Sequence, residues 1–409
     1  MRKHTKSFIL KFFITLSIGT FFVNSPSVNA QSSKSKIANK TISNSITQVQ
    51  KPLDGAFIQF WGERREKVWQ QVMDAMKAAK MRTIVLQYLQ NSIYEQKDIN
   101  GCAIMETPVS FTYTDSYKKD GDNYIDPTEF ILQYAEKNGM EVYIGLANDQ
   151  RFVDFGQWDN PQCIQLNERA KENKDFAKLL WTRYQTNPLT KKEYKSFAGW
   201  YLPFEMWNQK YTDEQIKEFQ KFFADVSQSI KKLKNKPVLA SPYINFSTPA
   251  FLDAKGFASM YGNFLKNGDN SAGIDFVLLQ DSVGAKFLTE DEISVKVDPY
   301  YKELKSMCLT KGCKLWANVE SYEGDPREPT TFTRLKKQLE VAGQNITSSS
   351  NEQIITFEFF HYMNPFGNLH ENYADKEKTL YCEYLSNFFP DLKLTVNINC
   401  PKPEIKTVK

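Results

Sequence analysis

Histidine is scarce in this chain: three residues in 409, one of them, His4, within the N-terminal stretch. His361 and His370 cannot build a histidine-rich zinc centre, and no two cysteines stand at CxxC spacing, so no metal site and no cofactor are expected. A serine nucleophile is not expected either, because no Gly-x-Ser-x-Gly elbow occurs and His361 and His370 are the only possible bases. After residue 30 no stretch reaches the ~20 apolar residues of a membrane-spanning helix. Excess charge is missing too. The formal charge is +4, and residues 1–30 hold Arg2, Lys3, Lys6 and Lys11 with no acidic residue, so the remainder is balanced. That balance argues against binding nucleic acid or a membrane surface through bulk charge. The acidic segment 120–126 lacks the glycine and glutamate places of a calcium loop and reads as a solvated lead into a helix.

What is present begins with a basic start, an apolar run over 12–23 and Val28-Asn29-Ala30, the pattern of a cleaved signal peptide with Gln31 as the mature start. Residues 31–50, polar and poor in large apolar groups, read as a flexible leader; 393–409 read as a tail. Six cysteines suit an oxidising compartment, and nearness along the chain pairs Cys308 with Cys313 and Cys382 with Cys400, leaving Cys102 for Cys163. The expectation is a periplasmic or secreted protein.

Residues 51–392 alternate short apolar segments with longer amphipathic ones. Strands are predicted over 56–60, 83–88, 141–147, 198–204, 237–243, 274–280, 314–320 and 354–360, each apolar enough to be buried on both faces. Helices are predicted over 67–80 and 213–234, and another starts from Asp126 as cap and Pro127 at its first position and closes at Asn138-Gly139. From the fourth strand on, the repeat is roughly 38–40 residues, one strand–helix unit; after the second and third it is near 57. Eight such units in series predict an α/β fold of (β/α)8 TIM-barrel type, in one catalytic domain. An open doubly wound sheet would want a glycine-rich phosphate loop after its first strand, where this chain has Gln59-Phe60-Trp61-Gly62-Glu63.

Active sites of such barrels sit at the C-terminal strand ends. Read in order, those ends offer Gln59 and Trp61, Gln87 and Tyr88, Asn148 and Asp149, Glu205 and Trp207, Tyr243 and Asn245, Gln280 and Asp281, Glu320 and Tyr322, His361 and Tyr362. Amides and carboxylates for hydroxyls, with rings for apolar sugar faces, suit a carbohydrate partner. Two runs close on glutamate, Trp200-Tyr201-Leu202-Pro203-Phe204-Glu205 and Leu315-Trp316-Ala317-Asn318-Val319-Glu320. A carboxylate pair across one mouth is what glycoside hydrolysis needs. Asp281 is the rival third carboxylate, and Glu358, read as lying within the eighth strand, must be paired or line the site. A non-catalytic glycan-binding barrel is the alternative from another class.

These segments, with Gly55-Ala56-Phe57-Ile58-Gln59-Phe60-Trp61, Gln280-Asp281-Ser282-Val283-Gly284 and Trp316-Ala317-Asn318-Val319-Glu320-Ser321-Tyr322, resemble a bacterial glycosidase-like barrel family catalogued as a domain of unknown function. The resemblance spans roughly residues 52–390. The wider clan it is similar to comprises retaining glycosidases with catalytic glutamates on strands four and seven. The resemblance implies Glu205 as acid/base and Glu320 as nucleophile, with Gln59, Tyr243, Gln280 and Asp281 lining the sugar site. The clan usually places Asn just before the strand-four glutamate to hold the sugar 2-hydroxyl; here that residue is Phe204.

Overall fold

The computed structural model describes residues 50–60, 62–97, 103–110, 117–119, 121–149, 166–268, 272–324, 326–347, 351–367, 373–392, 398 and 400. The signal and leader, Trp61, Cys102, Cys163, His370 and most of the tail lie outside them.

Eight parallel strands close a barrel: β1 (Gly55–Ile58), β2 (Thr83–Leu86), β3 (Glu141–Gly145), β4 (Phe197–Tyr201), β5 (Val238–Ala240), β6 (Phe276–Gln280), β7 (Lys314–Glu320) and β8 (Ile354–Phe357), with β8 hydrogen-bonded back to β1. Each is followed by a helix: α1 (Glu66–Ala78), α2 (Pro127–Asn138), α3 (Leu166–Tyr184), α4 (Asp213–Leu233), α5 (Ala254–Tyr261), α6 (Glu290–Lys311), α7 (Phe332–Asn345) and α8 (Ala374–Phe388). The expected TIM barrel is the fold. Alternation within each strand splits the apolar residues into two sets. Phe57, Val85, Tyr143, Tyr201, Leu239, Leu278, Trp316 and Ile355 pack together inside the barrel, while their neighbours join the larger core under the helices.

The long intervals after β2 and β3 hold added structure. Gln90–Lys97 pairs with Ala103–Ser110 and with Ala147–Asp149, and Tyr117–Lys119 forms a hairpin with Asp122–Tyr124. Asp126 caps α2 by accepting from the Thr128 and Glu129 amides at 3.0 and 3.2 Å, and Gly139 ends it in the left-handed region. Disulfides Cys308–Cys313 and Cys382–Cys400 are formed, the first tying the end of α6 to the start of β7. Among the described residues no helix is long and apolar enough to cross a membrane.

Most strands end sooner than their apolar runs. β4 stops at Tyr201 because Pro203 has no amide to extend the ladder, and the Phe204 amide turns back to the Leu202 carbonyl at 2.8 Å. Glu358 does not lie within β8, as read from the sequence. It caps the short helix Phe359–Tyr362, accepting the Phe360 and His361 amides at 2.7 and 2.9 Å. Its carboxylate satisfies two helix-start amides there, which the sequence alternation could not show.

Candidate active site

Glu320 is the last residue of β7 and is 3% exposed. Its peptide is clamped by one side chain from α7. The Glu320 amide donates to Gln338 Oε1 at 2.9 Å, and Gln338 Nε2 donates to the Glu320 carbonyl at 3.1 Å. Its Oε2 accepts the Gly284 amide at 2.7 Å, and the Tyr322 hydroxyl donates to the same carboxylate. Burial pushes the carboxyl up to about 7, assisted by the charge of Glu205 and opposed by these donors and by Arg327.

The loop after β6 delivers that amide. Asp281, 1% exposed, accepts the Val283 amide on Oδ1 at 3.2 Å, and Ser282 adopts a left-handed φ of 56° while its Oγ accepts the Ile244 amide at 3.0 Å. Gly284 follows, and a Cβ there would stand 2.7 Å from Glu320 Oε2 and 2.8 Å from the Tyr322 carbonyl. Only glycine fits so close to the carboxylate. Burial and the charge of Glu320 hold the Asp281 carboxyl well above the usual range.

Glu205 stands four residues beyond β4 and is half-buried. Burial raises its carboxyl, against Arg327 and a hydrogen bond from Gln280. Gln280 is anchored in turn, its Nε2 donating to the Ser241 carbonyl at 2.8 Å, and Asn318 Nδ2 donates to Ser241 Oγ at 3.1 Å. Phe204 turns the other way, against Phe219, Phe222 and Phe223 of α4 with centroids 5.9, 4.7 and 5.6 Å away. The residue before the strand-four glutamate is therefore core, out of reach of a sugar hydroxyl.

Backbone bridges continue the barrel from Trp207 to Tyr243 and on to Gln280. The Trp207 and Tyr243 rings stack at 5.6 Å and 9°, a flat wall beside Glu205, whose charge acts on the Tyr243 hydroxyl. Gln59 and Gln87, at the ends of β1 and β2, hydrogen-bond each other through their side chains. Asn148 belongs to the added sheet and donates to Asn91 Oδ1 at 3.0 Å. His361 is 2% exposed, with Nδ1 against the Glu358 carboxylate. Glu205, Glu320, Gln280, Asp281, Tyr243 and Tyr322 thus come together, with Trp207 stacked on Tyr243; Asn148 and His361 have other partners. Among the described residues no three potential metal ligands gather.

Arg327 was not anticipated. Gly324 turns the chain with φ 77°, so that Tyr322–Glu323 pairs with Glu328–Pro329, and the hairpin swings Arg327 back over the mouth. Its guanidinium lies 4.5 Å from the Tyr322 ring centroid, donates to the Tyr362 hydroxyl, and acts electrostatically on both glutamates. The signal for it was the pair of turn-forming residues Gly324 and Pro326 shortly after β7.

A family described as "Domain of unknown function (DUF4434)" matches residues 53–368. A solved structure of a putative alpha-L-fucosidase from Bacteroides thetaiotaomicron is 21% identical, with TM-score 0.58 over 90% of this chain and 100% of that one, which shows the shared fold. An endo-1,4-beta-D-mannanase from Thermotoga petrophila aligns at 11% identity and TM-score 0.46 over 75% of this chain and 88% of its own. No curated protein matches.

Proposed function

The chain belongs to that family of unknown function, and on this footing we propose that it is an exported glycoside hydrolase of retaining type. The observation that carries the reading is the pair of carboxyls delivered by β4 and β7 to one end of the barrel, each raised by burial and each in the other's field or in that of Arg327.

In the first step a Glu320 oxygen attacks the anomeric carbon while the glycosidic C–O bond breaks and Glu205 gives its proton to the departing oxygen. In the second, Glu205 takes a proton from water, the water oxygen bonds to the anomeric carbon, and Glu320 leaves as carboxylate. The environments suit these roles. Glu320 is clamped at backbone and side chain, as an attacking atom must be, whereas Glu205 is open enough to exchange a leaving group for water. The Trp207–Tyr243 wall would take the apolar face of a sugar, with Gln280 among its hydroxyls. The N-terminal signal pattern and the paired cysteines support export.

Phe204 favours a second reading, a barrel that binds glycans without cleaving them, because no amide precedes Glu205. The two separate in one experiment. The protein is incubated with a panel of polysaccharides beside Glu205→Gln and Glu320→Gln, and release of reducing ends and the first-formed anomer are followed by NMR. Turnover lost in both variants with retained anomeric configuration is expected; full activity in either variant sinks the assignment.

A further inference from the structure

Arg327 has a position that neither structural support nor charge balance explains. It is exposed, yet it stands in the field of both Glu205 and Glu320. A counter-ion for either would close to ion-pair distance, as Lys231 does on Asp275 at 2.7 Å. Among the described residues no carboxylate oxygen lies within 4.0 Å of an Arg327 nitrogen. Its plane is supported by the Tyr322 ring and one donor goes to Tyr362, which leaves most of the five N–H groups of the fork open to a ligand. The neighbouring cations are engaged: Arg334 donates to the Val283 and Leu288 carbonyls at 2.8 Å each, and Lys286 pairs with Glu323 at 3.2 Å.

A rigid, ring-backed guanidinium with free donors matches a planar carboxylate in two parallel hydrogen bonds, which a hydroxyl cannot provide. Burial raises the carboxyls of Asp281, Glu205 and Glu320, which weakens the negative field that an anion would meet beside Arg327. We propose that Arg327 receives the carboxylate of a uronic acid unit, so that the substrate bound in this mouth is an acidic polysaccharide. The inference rests on the glycosidase reading, but the binding it describes can be measured without turnover.

Short oligomers of galacturonic, glucuronic and mannuronic acid, and the same oligomers after carboxyl reduction, are titrated into the protein by calorimetry and tested for cleavage. At least one uronate series is expected to bind about ten-fold more tightly than its reduced form, with a preference that weakens in salt. Arg327→Gln collapses that ratio and Arg327→Lys keeps part of it, with melting temperature measured on both to show intact folding. Equal binding of acid and reduced forms, or a ratio that survives Arg327→Gln, overturns the proposal. So does an Arg327-dependent preference for sulfated neutral oligosaccharides with none for uronates, which would assign a sulfate ester instead. Discrimination without cleavage leaves the Arg327 assignment standing and removes the hydrolase reading; cleavage of neutral oligomers without discrimination does the reverse.

Discussion

The β4 and β7 ends of the barrel each present one glutamate, and they hold it by opposite means. At β7 the ladder runs to Glu320 itself, one glutamine fixes its peptide at both polar groups, and a glycine amide meets its carboxylate. At β4 the ladder stops four residues early, a tight turn intervenes, and Glu205 is steadied from its side chain by Gln280. Burial raises both groups, so the difference lies in how each is held and in access. A nucleophile gains from being fixed, and a residue that must act first as acid and then as base gains from reaching water.

The largest expected effect comes from breaking that asymmetry chemically. Glu320→Gln should lower kcat by about 10^4-fold on every substrate. Glu205→Gln should cost about 10^2–10^4-fold on a natural glycoside but far less on a dinitrophenyl glycoside, whose leaving group needs no proton. Steady-state kinetics on both substrate types checks the contrast, and equal losses for the two variants on the activated substrate would remove it.

Next in size is the glycine tether. Gly284→Ala forces a methyl group against Glu320 Oε2 and should lower kcat by about 10^2-fold through displacement of the attacking oxygen. A comparable Ala substitution that left kcat unchanged would mean that Glu320 needs no such hold.

The pH dependence sharpens the comparison further. With its carboxyl pushed up to about 7, Glu320 ionises as pH rises through that value, so kcat/KM should climb there and fall away on the acid side as the nucleophile is protonated. The charge of Glu205 contributes to that elevation, so in Glu205→Gln the residual activity should show its acid limb at lower pH. A limb that stays in place would separate the two groups electrostatically. Asp281→Asn keeps the shape of a group whose ionisation burial already opposes, and should cost roughly ten-fold or less, with the limb unmoved. A loss as large as that of Glu320→Gln would put Asp281 into the chemistry.

The smallest effect is a control away from both strand ends. Glu377, on α8 and 1% exposed, is pushed up to about 8 by burial and by the charge of Glu358. A carboxyl raised on folding stabilises the native state below its unfolded value near 4.5 and loses that contribution as pH rises through about 8. Glu377→Gln should therefore leave the melting temperature unchanged near pH 4 and raise it by a few degrees near pH 9, with activity unaffected. A melting curve insensitive to the variant at pH 9 contradicts the buried charge.

Much of the barrel was legible beforehand because parallel strands buried on both faces must be apolar throughout, and helix ends carry their own chemistry, as at Asp126 and Gly139. The ends of strands were less so: an apolar run such as 198–204 continues past Tyr201 because Phe204 still has a core to fill, although it has left the ladder. Asn148 was read as a barrel strand end, yet Ala147–Asp149 pairs with Gln90–Lys97, and pairing partners far apart in sequence leave no local mark. Arg327 was missed for the converse reason. An exposed arginine in a turn looks like surface, and its place in the field of both glutamates comes from the hairpin that folds it back.

By itself the amino-acid sequence determined the eight barrel strands, three of the helices, the caps of α2, two disulfide pairs and the glutamates that follow β4 and close β7, because each depends on periodicity or on groups close along the chain. Closure of β8 onto β1 decided the rest. It sets Glu205 and Glu320 in each other's field, buries Asp281 beneath them, presses Gly284 against one carboxylate and places Arg327 above both. Burial and charge at a site are sums over neighbours from every strand, and those neighbours exist only once the barrel has closed.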